Sequence, residues 1–200
     1  MEVFELLEKY NIKVADYKVV KTIEEAKEFA KKIGYPVVIK VWDKRISHKT
    51  DVGGVILDIW SERMLETSFN YIKEKFGNVK VLVQKQIQKG IELYAGGKRD
   101  KTFGSLVLLG LGGVYVEVFK DITTRLCPVS EEMVKDMIND LESRKIILGY
   151  RGEKVDIDSL VNIVVNLCRL IENEKIKEID INPIKASKDG CVVVDARVVK

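Results

Sequence analysis

Strand patterns follow one another with few helices between them in the second half of the chain, and this order decides the fold class. A repeated βαβ fold would separate successive strands by helices, whereas adjacent strands form hairpins and antiparallel sheets. Helical periodicity occurs only in isolated segments, so the order favours an α+β fold. The predicted helices are 2–10, 22–33, 61–76, a segment after Ser130, and 156–171, and the predicted strands are 36–42, 54–60, 80–87, 91–95, 105–109, 114–119, 176–181 and 191–198.

The turn at Gly77-Asn78 is the clearest candidate boundary in the chain. It follows a region in which helices and strands alternate, and it precedes the region in which strands dominate. Upstream, Thr22 and Glu25 have the spacing of a helix capping box, which makes that helix a firm local prediction. We therefore predict two α+β subdomains, at approximately residues 1–77 and 78–200.

Composition excludes several classes of protein. The chain has 200 residues, of which 46% are hydrophobic and 32% are charged, and this balance predicts a globular protein with a sizeable core. Its 34 basic and 31 acidic residues are interleaved, so nothing predicts a nucleic-acid partner. No apolar run approaches the ~20 residues of a membrane span, and the N-terminus lacks a secretory pattern. We expect a cytoplasmic protein that binds no membrane.

The three cysteines, Cys127, Cys168 and Cys191, are odd in number and widely spaced. They form no Cys-x-x-Cys pair of the kind found in zinc sites, and the pattern is unlike a disulfide framework. We therefore expect reduced, mostly structural thiols.

A polar loop from His48 to Gly54 joins two predicted strands and combines a histidine, a lysine and two glycines. Glycines let backbone N–H groups approach a phosphate, Lys49 supplies charge, and the single histidine of the chain could accept a phosphoryl group. The alternative is an ordinary hairpin loop with an exposed histidine. The residues alone leave both interpretations open.

Lys40 lies in an apolar strand, where alternation places it on the same face as Val38 and Trp42. A lysine in this position could point from the sheet toward nucleotide phosphates. Alternatively, it could belong to an edge strand and extend its ammonium group into solvent.

Gly110-Leu-Gly-Gly113 has part of a dinucleotide-binding pattern but lacks its last glycine and the following helix. We interpret it as a tight connection whose backbone N–H groups could face a ligand.

The final hairpin permits a geometric prediction. A turn centred at Lys188-Asp189 pairs residues whose numbers sum to 377, so Asn182 should lie opposite Asp195. Directly opposed residues have Cβ atoms roughly 4.5–5.5 Å apart. An amide oxygen and a carboxylate at this separation could share Mg²⁺, which prefers oxygen ligands. A solvated strand face would show the same pattern.

Several stretches in order resemble the ATP-grasp β subunit of ADP-forming acyl-CoA synthetases, the acetate–CoA ligase (ADP-forming) family, and are more distantly similar to the β subunit of succinyl-CoA synthetase. The resemblance covers nearly the whole chain. The stretches that carry it are 34–40, 48–55, 90–100, 110–121, 148–152, 180–183 and 194–197.

This resemblance implies an ATP-grasp fold, with nucleotide held between two α+β subdomains of which the first is a lid. It also implies the reaction acyl-CoA + ADP + phosphate ⇌ carboxylate + CoA + ATP, through an acyl phosphate and phosphohistidines. The CoA-binding portion and one phosphohistidine belong to an α subunit in this family, so a partner chain is expected. His48 would take the phosphoryl group between that histidine and the nucleotide.

The remaining roles are also carried over from the family. The resemblance implies ATP or ADP as substrate, nucleotide-phosphate contacts from Lys40 and the loop that includes Lys49, Gly53 and Gly54, and a strand end whose backbone groups bind adenine. Rival interpretations are another ATP-grasp ligase, such as a succinyl-CoA synthetase-like subunit, and a non-catalytic nucleotide-binding regulatory subunit. The resemblance places Gln84, Lys85 and Gln86 at the adenine-binding strand end and Glu92 near the nucleotide. It implies Asn182 and Asp195 as the Mg²⁺ ligands.

Overall fold

The structure is a computed structural model of the full chain. It describes residues 2–43, 45–46, 49–113, 118–150, 152, 154–174 and 176–199. The chain divides into a small unit, Ala15–Ile87, and a large unit formed by Met1–Val14 and Gln88–Lys200.

The large unit contributes the first helix, α1 (Val3–Lys9), before the chain enters the small unit. Four antiparallel strands of the small unit form a sheet of order β1-β4-β2-β3. Its elements are β1 (Tyr17–Val20), α2 (Ile23–Ile33), β2 (Val37–Trp42), β3 (Val55–Ile59), α3 (Glu62–Phe76) and β4 (Lys80–Lys85).

Helices α2 and α3 cover one face of the small sheet because alternate strand residues and one stripe of each helix are apolar. Val37, Ile39 and Val41 of β2 are buried in the same core cluster as Leu65 and Phe69 of α3. The predicted cap of α2 is confirmed: the Thr22 side chain accepts a hydrogen bond from the Glu25 N–H, and the Glu25 carboxylate accepts one from the Thr22 N–H. The opposite face of the sheet carries the other residues of β2.

The large unit contains a second antiparallel sheet, of order β10-β8-β5-β6-β7, with β9 also paired to β8. All strand pairs in both sheets are antiparallel, which confirms the α+β prediction. The elements are β5 (Ile91–Asp100), β6 (Gly104–Leu111), β7 (Ile122–Leu126), α4 (Glu131–Asp140), α5 (Arg144–Ile147), α6 (Ile157–Glu174), β8 (Glu178–Ser187), β9 (Gly190–Val193) and β10 (Ala196–Val199).

Helix α6 packs on one face of the large sheet, and its inner residues are apolar along most of its length. Gly97 of β5 lies so close to this helix that an added Cβ would overlap the Ile171 side chain. The helix covers one face, and polar residues of β5 and β8 occupy the other. Among the described residues, no helix is long and apolar enough to cross a membrane.

A bulge in β8 places Asn182 on the polar face. Leu93 pairs with Ile184 and Ala95 pairs with Ile181, so Asn182 and Pro183 together lie opposite Tyr94. The extra residue reverses the alternation of β8, and Ile181 and Ile184 can both be buried against the helix layer.

The predicted hairpin register is confirmed on both sides of the bulge. Ser187 pairs with Gly190 and Ile181 pairs with Ala196, and both pairs sum to 377. Between them, the Asn182 N–H donates to the Asp195 carbonyl oxygen at 3.2 Å.

Two features of the second half differ from the sequence prediction. Val114–Glu117, most of one predicted strand, lie outside the described residues, and Val118 and Phe119 are helical rather than extended. Strand β7 was missed, because its pattern Ile-Thr-Thr-Arg-Leu gives only a weak apolar alternation.

The proposed boundary at Gly77-Asn78 falls inside the small unit, between α3 and β4. Strand β4 pairs with both β1 and β2, so it belongs with the first sheet, and the chain leaves the small unit only after Ile87.

The expectation of reduced cysteines is wrong for two of the three. Cys127, just after β7, forms a disulfide with Cys168 of α6, while Cys191 is a buried free thiol. Wide sequence spacing gave no sign of this pairing, because packing of the helix layer on the sheet brings the two residues together. Burial raises the pKa of the Cys191 thiol to about 12, which keeps it protonated and unreactive.

We expect the Cys127→Ser, Cys168→Ser double variant to unfold more easily than the wild type. A cross-link over 41 residues restricts the unfolded chain, and its loss should lower the free energy of unfolding by about 4 kcal/mol. Denaturant unfolding with and without reductant measures this. Cys191→Ser is the matched control and should remain sensitive to reductant. Equal stabilities of the double variant and the oxidised wild type would contradict the prediction.

Candidate functional site

Lys40 lies on the face of the small sheet that points away from α2 and α3. Its neighbours across the sheet are Val55 of β3 and Leu82 of β4, and only 6% of Lys40 is exposed. Strand β2 is flanked on both sides, so the alternative of an edge-strand lysine is wrong. Burying an ammonium group is costly unless it interacts with polar or charged groups. The position therefore suits a lysine that meets an anion.

The glycine pair in the loop before β3 is needed for the loop's own turn. The Gly54 N–H donates to the Lys49 carbonyl at 2.6 Å, and the Gly53 N–H donates to the Thr50 carbonyl at 3.0 Å. Gly53 has a φ of 68°, and a Cβ on Gly54 would lie 2.6 Å from Val41. Glycine is therefore required at both positions. In this structure both N–H groups close the loop rather than face outward, and a nucleotide contact by either glycine stays a prediction.

Lys49 has its ammonium nitrogen 4.3 Å from the centre of the Trp42 ring, where the ring face attracts a cation. Lys49 and Lys40 are therefore both anchored to β2, one through the residue at its end and one within it. His48 lies outside the described residues, and its role rests on the sequence motif.

The end of β4 holds the three residues predicted to read adenine. The Lys85 ammonium donates to the carbonyl oxygens of Gly34 and Tyr35, at 2.9 and 3.0 Å. The Gln86 side chain forms two hydrogen bonds with Asp58, donating to its carboxylate at 2.7 Å and accepting from its N–H at 2.8 Å. These two side chains fasten the end of β4 to neighbouring elements.

Backbone donors at the same place are also occupied: the Lys85 N–H bonds the Asp16 carbonyl, and the Gln86 N–H bonds the Pro36 carbonyl. Gln84 differs, because it is 1% exposed and its Nε2 has no hydrogen-bond partner among the described residues. A buried amide without a partner costs free energy, which a bound ligand with an acceptor could recover. Gln84 is therefore the side chain in this group best placed to act on a ligand.

Asn182 of β8 lies next to Asp195, which stands between β9 and β10, and the backbone hydrogen bond from Asn182 N–H to the Asp195 carbonyl joins them. Gly113 donates its N–H to Asn182 Oδ1 at 2.8 Å, and Asp195 Oδ1 accepts the Ala196 N–H at 2.9 Å. These bonds fix the orientation of one amide oxygen and one carboxylate oxygen on two adjacent residues, and hard oxygen donors of this kind fit Mg²⁺. The described residues contain no group of three His, Cys, Asp or Glu that could hold a metal alone, so phosphate or water would complete such a site.

Glu92 is close to this pair through Gly113. Gly113 has a φ of 62°, and an added Cβ would overlap the Glu92 carboxylate. Glu92 also forms an ion pair at 2.9 Å with Lys185, which lies opposite it on β8. The structure thus brings Glu92, Gly113, Asn182 and Asp195 together on the polar face of the large sheet.

Two residues of this face escaped individual notice in the sequence. Tyr94, opposite the β8 bulge, donates its hydroxyl to Asp180 Oδ1 at 2.8 Å, and burial together with that carboxylate raises the pKa of the Tyr94 phenol well above its usual value. The second is Lys185, the ion-pair partner of Glu92. The alternation of Glu92 and Tyr94 along β5 was the available signal, but the bulge that aligns them with β8 is not visible in sequence.

The chain has two α+β units, one with a buried lysine on its sheet and the other with an oxygen pair at a hairpin, as the resemblance to ATP-grasp domains implied. A family model of the ATP-grasp domain matches residues 1–199, which confirms the expected fold.

Two similar proteins indicate which group of ATP-grasp proteins this chain resembles. The chain is 39% identical over 207 residues to acetate–CoA ligase (ADP-forming) I subunit beta of Pyrococcus furiosus, covering 99% of this chain and 89% of that protein. It is 41% identical over 194 residues to acetate–CoA ligase (ADP-forming) II of Archaeoglobus fulgidus, covering 97% of this chain but only 29% of that protein.

A solved structure is similar over almost the entire chain. Dinucleotide-forming acetyl-coenzyme A synthetase 1 of Ca. Korarchaeum cryptofilum, in complex with coenzyme A, Ca-AMPCP and HgCl⁺, matches with a TM-score of 0.93 and 37% identity, covering 99% of this chain and 90% of that one. Another structure of that enzyme, with coenzyme A and Mg-AMPPCP, has its phosphohistidine segment pointing towards the nucleotide binding site and matches with a TM-score of 0.86, 38% identity and coverages of 96% and 87%. The chain belongs to the family of ATP-grasp β subunits of ADP-forming acetate–CoA ligases.

Proposed function

We propose that this chain is the nucleotide-binding β subunit of an ADP-forming acyl-CoA synthetase, a ligase that interconverts acyl-CoA, ADP and phosphate with carboxylate, CoA and ATP. The observation that carries the proposal is the Asn182 and Asp195 oxygen pair, set by the β8–β10 register in a chain that spans 89% of a relative's β subunit. The structure of the similar Korarchaeum enzyme with Mg-AMPPCP supports Mg²⁺ and nucleotide as the ligands.

The contacts predicted for the proposed reaction fall into two groups. In the small unit, Lys40 and Lys49 offset the negative charge of the nucleotide phosphates, and the end of β4 near Gln84 binds the adenine ring. In the large unit, Asn182 and Asp195 would hold Mg²⁺. When bound, this ion neutralises phosphate charge and aligns the phosphates for transfer.

His48 provides the covalent step. Its neutral imidazole nitrogen attacks the phosphorus of the phosphohistidine on the partner, so that a new P–N bond forms on His48 as the old one breaks. A terminal oxygen of ADP then attacks the same phosphorus, which forms the P–O bond of ATP and releases the imidazole. Glu92, held by Lys185 beside Gly113, keeps a carboxylate near the nucleotide.

A CoA-binding α subunit completes the proposed enzyme. The β-subunit naming of the Pyrococcus relative supports a separate partner, and the chain covers only 29% of the single-chain Archaeoglobus ligase. The proposed partner brings the CoA site and the first phosphohistidine, and these two chains form a hetero-oligomer.

The isolated chain should bind Mg-ADP and fail to make ATP from acyl-CoA, ADP and phosphate, because the CoA-binding part is supplied by the partner. Titration calorimetry with ADP, in Mg²⁺ and in EDTA, measures the first expectation. A coupled assay with acetyl-CoA, with and without the purified α subunit, measures the second. Turnover by the pure chain alone, or the absence of Mg-dependent ADP binding, would overturn the proposal.

A further inference from the structure

Arg197 lies on the same face of the large sheet as the candidate magnesium ligands. It is two residues beyond Asp195 in the chain, and side chains two residues apart on an extended segment point the same way. Strand β10 places Arg197 directly opposite Asp180 of β8, and Arg197 is exposed. Arg197 therefore belongs to the same face of the sheet as the oxygen pair, at the edge formed by β10.

The residue opposite Arg197, Asp180, is hydrogen-bonded on its other side, toward β5. An arginine directly across from an aspartate in an antiparallel pair would ordinarily form an ion pair with it. Here Asp180 Oδ1 accepts the Tyr94 hydroxyl instead, at 2.8 Å. Within the described ranges no carboxylate forms a salt bridge with Arg197.

Tyr94 is held firmly in this arrangement. It lies opposite the Asn182-Pro183 bulge, and its hydroxyl sits over Gly96, where a Cβ would overlap it. A glycine at 96 thus makes room for the phenol to reach Asp180. Among the described residues Arg197 is therefore a cation without an ion pair, on the same face as an oxygen pair suited to Mg²⁺, and this combination attracts a multiply charged anion.

We propose that Arg197 is a phosphate-binding residue that contacts the terminal phosphate of the metal-bound nucleotide, and that Tyr94 positions Asp180 so that this guanidinium stays available. The inference rests on the proposed function, because the metal-bound nucleotide brings the phosphate to this face. A guanidinium can donate two parallel hydrogen bonds to phosphate oxygens and stabilise the charge that develops during transfer.

Nucleotide affinity tests the role of Arg197 without any turnover. We expect Arg197→Gln to weaken binding of Mg-AMPPNP about 10- to 100-fold, the value of charged hydrogen bonds to one phosphate, and to weaken Mg-ADP binding much less. The affinity of Arg197→Lys for Mg-AMPPNP should lie between those of the wild type and Arg197→Gln, because lysine keeps the positive charge but cannot donate two parallel hydrogen bonds. Arg63→Gln removes an exposed arginine from α3 and is the matched control for net charge.

A second pair of variants tests the positioning role of Tyr94. Tyr94→Phe should free Asp180 to pair with Arg197 and so weaken Mg-AMPPNP binding. Adding Asp180→Asn to that variant should restore affinity, since the amide cannot neutralise the guanidinium. Thermal unfolding checks that every variant remains folded.

The outcomes distinguish failure of the Arg197 inference from failure of the proposed function. If the wild type binds Mg-AMPPNP and Arg197→Gln matches it within threefold, the inference is overturned and the proposed function stands. An equal loss for Mg-ADP and Mg-AMPPNP would also overturn it, because the contact would then not be with the transferred group. If the wild type binds neither nucleotide, the proposed function fails first.

Discussion

Replacing His48 with alanine should abolish phosphoryl transfer through this chain while leaving Mg-nucleotide binding close to the wild-type value. The substitution removes the proposed nucleophile but none of the backbone contacts that close the following loop, in which Gly53 and Gly54 bond Thr50 and Lys49. Loss of a residue that forms a covalent intermediate costs about a thousandfold or more in turnover. We therefore expect at least that loss in the assay reconstituted with the α subunit.

Labelling distinguishes this role from a structural one. Incubation with γ-labelled ATP should place acid-labile, base-stable label on the wild-type chain and none on His48→Ala, because a phosphorus bonded to imidazole nitrogen has that stability pattern. Thr50→Ala is the matched loop control and should still be labelled. A His48→Ala enzyme that makes ATP at near wild-type rate would refute the relay and leave the ATP-grasp assignment intact.

Local patterns predicted the elements that local chemistry controls. The Thr22 capping box and the turn at Lys188-Asp189 depend on residues within a few positions of each other, and the structure has both. Because the turn sets the register, the opposition of Asn182 and Asp195 could be predicted as well. The weak strand β7 could not, since its Ile-Thr-Thr-Arg-Leu sequence is ordered by pairing with β6 rather than by its own pattern.

The less predictable parts of the site depend on contacts between distant segments. The Cys127–Cys168 disulfide joins residues 41 apart, and the Gly113 hydrogen bond to Asn182 joins residues 69 apart. Neither leaves a local signal. The extra residue in β8 can be recognised only when the pairing of β8 with β5 is known. The environment of Tyr94, which lies opposite that extra residue, depends on the same pairing.

The family resemblance likewise predicted which residues belong to the site but not which hydrogen bonds they form. Lys85 and Gln86 are predicted to bind nucleotide through backbone groups, and their side chains fasten β4 to the Gly34-Tyr35 turn and to Asp58. The buried Gln84 Nε2, which has no hydrogen-bond partner in the part of the chain that the structure describes, is the group whose environment favours a ligand. A motif therefore identifies where a site lies, and the hydrogen bonds decide which of its side chains remain available.

Asp195→Asn should weaken Mg-dependent nucleotide binding by about 10- to 100-fold and leave metal-free binding unchanged. The change removes a negative ligand at nearly constant volume, and the amide oxygen can still accept the Ala196 N–H that orients this side chain. Calorimetric titration with ADP at several Mg²⁺ concentrations measures the loss. Asn182→Ala should act in the same direction, but it also leaves the Gly113 N–H without its acceptor, so its unfolding free energy must be measured alongside.

Two further variants make the metal assignment decisive. Asp189→Asn makes the same chemical change in the exposed turn of the same hairpin and should bind Mg-ADP like the wild type. Asn182→Asp keeps an acceptor for Gly113 and adds a negative charge, so it should retain Mg²⁺ binding where Asn182→Ala loses it, because Mg²⁺ accepts either oxygen. If Asp195→Asn and Asn182→Ala both keep the wild-type Mg²⁺ dependence, the oxygen pair does not hold the metal, and the register that places the two residues side by side serves only the fold.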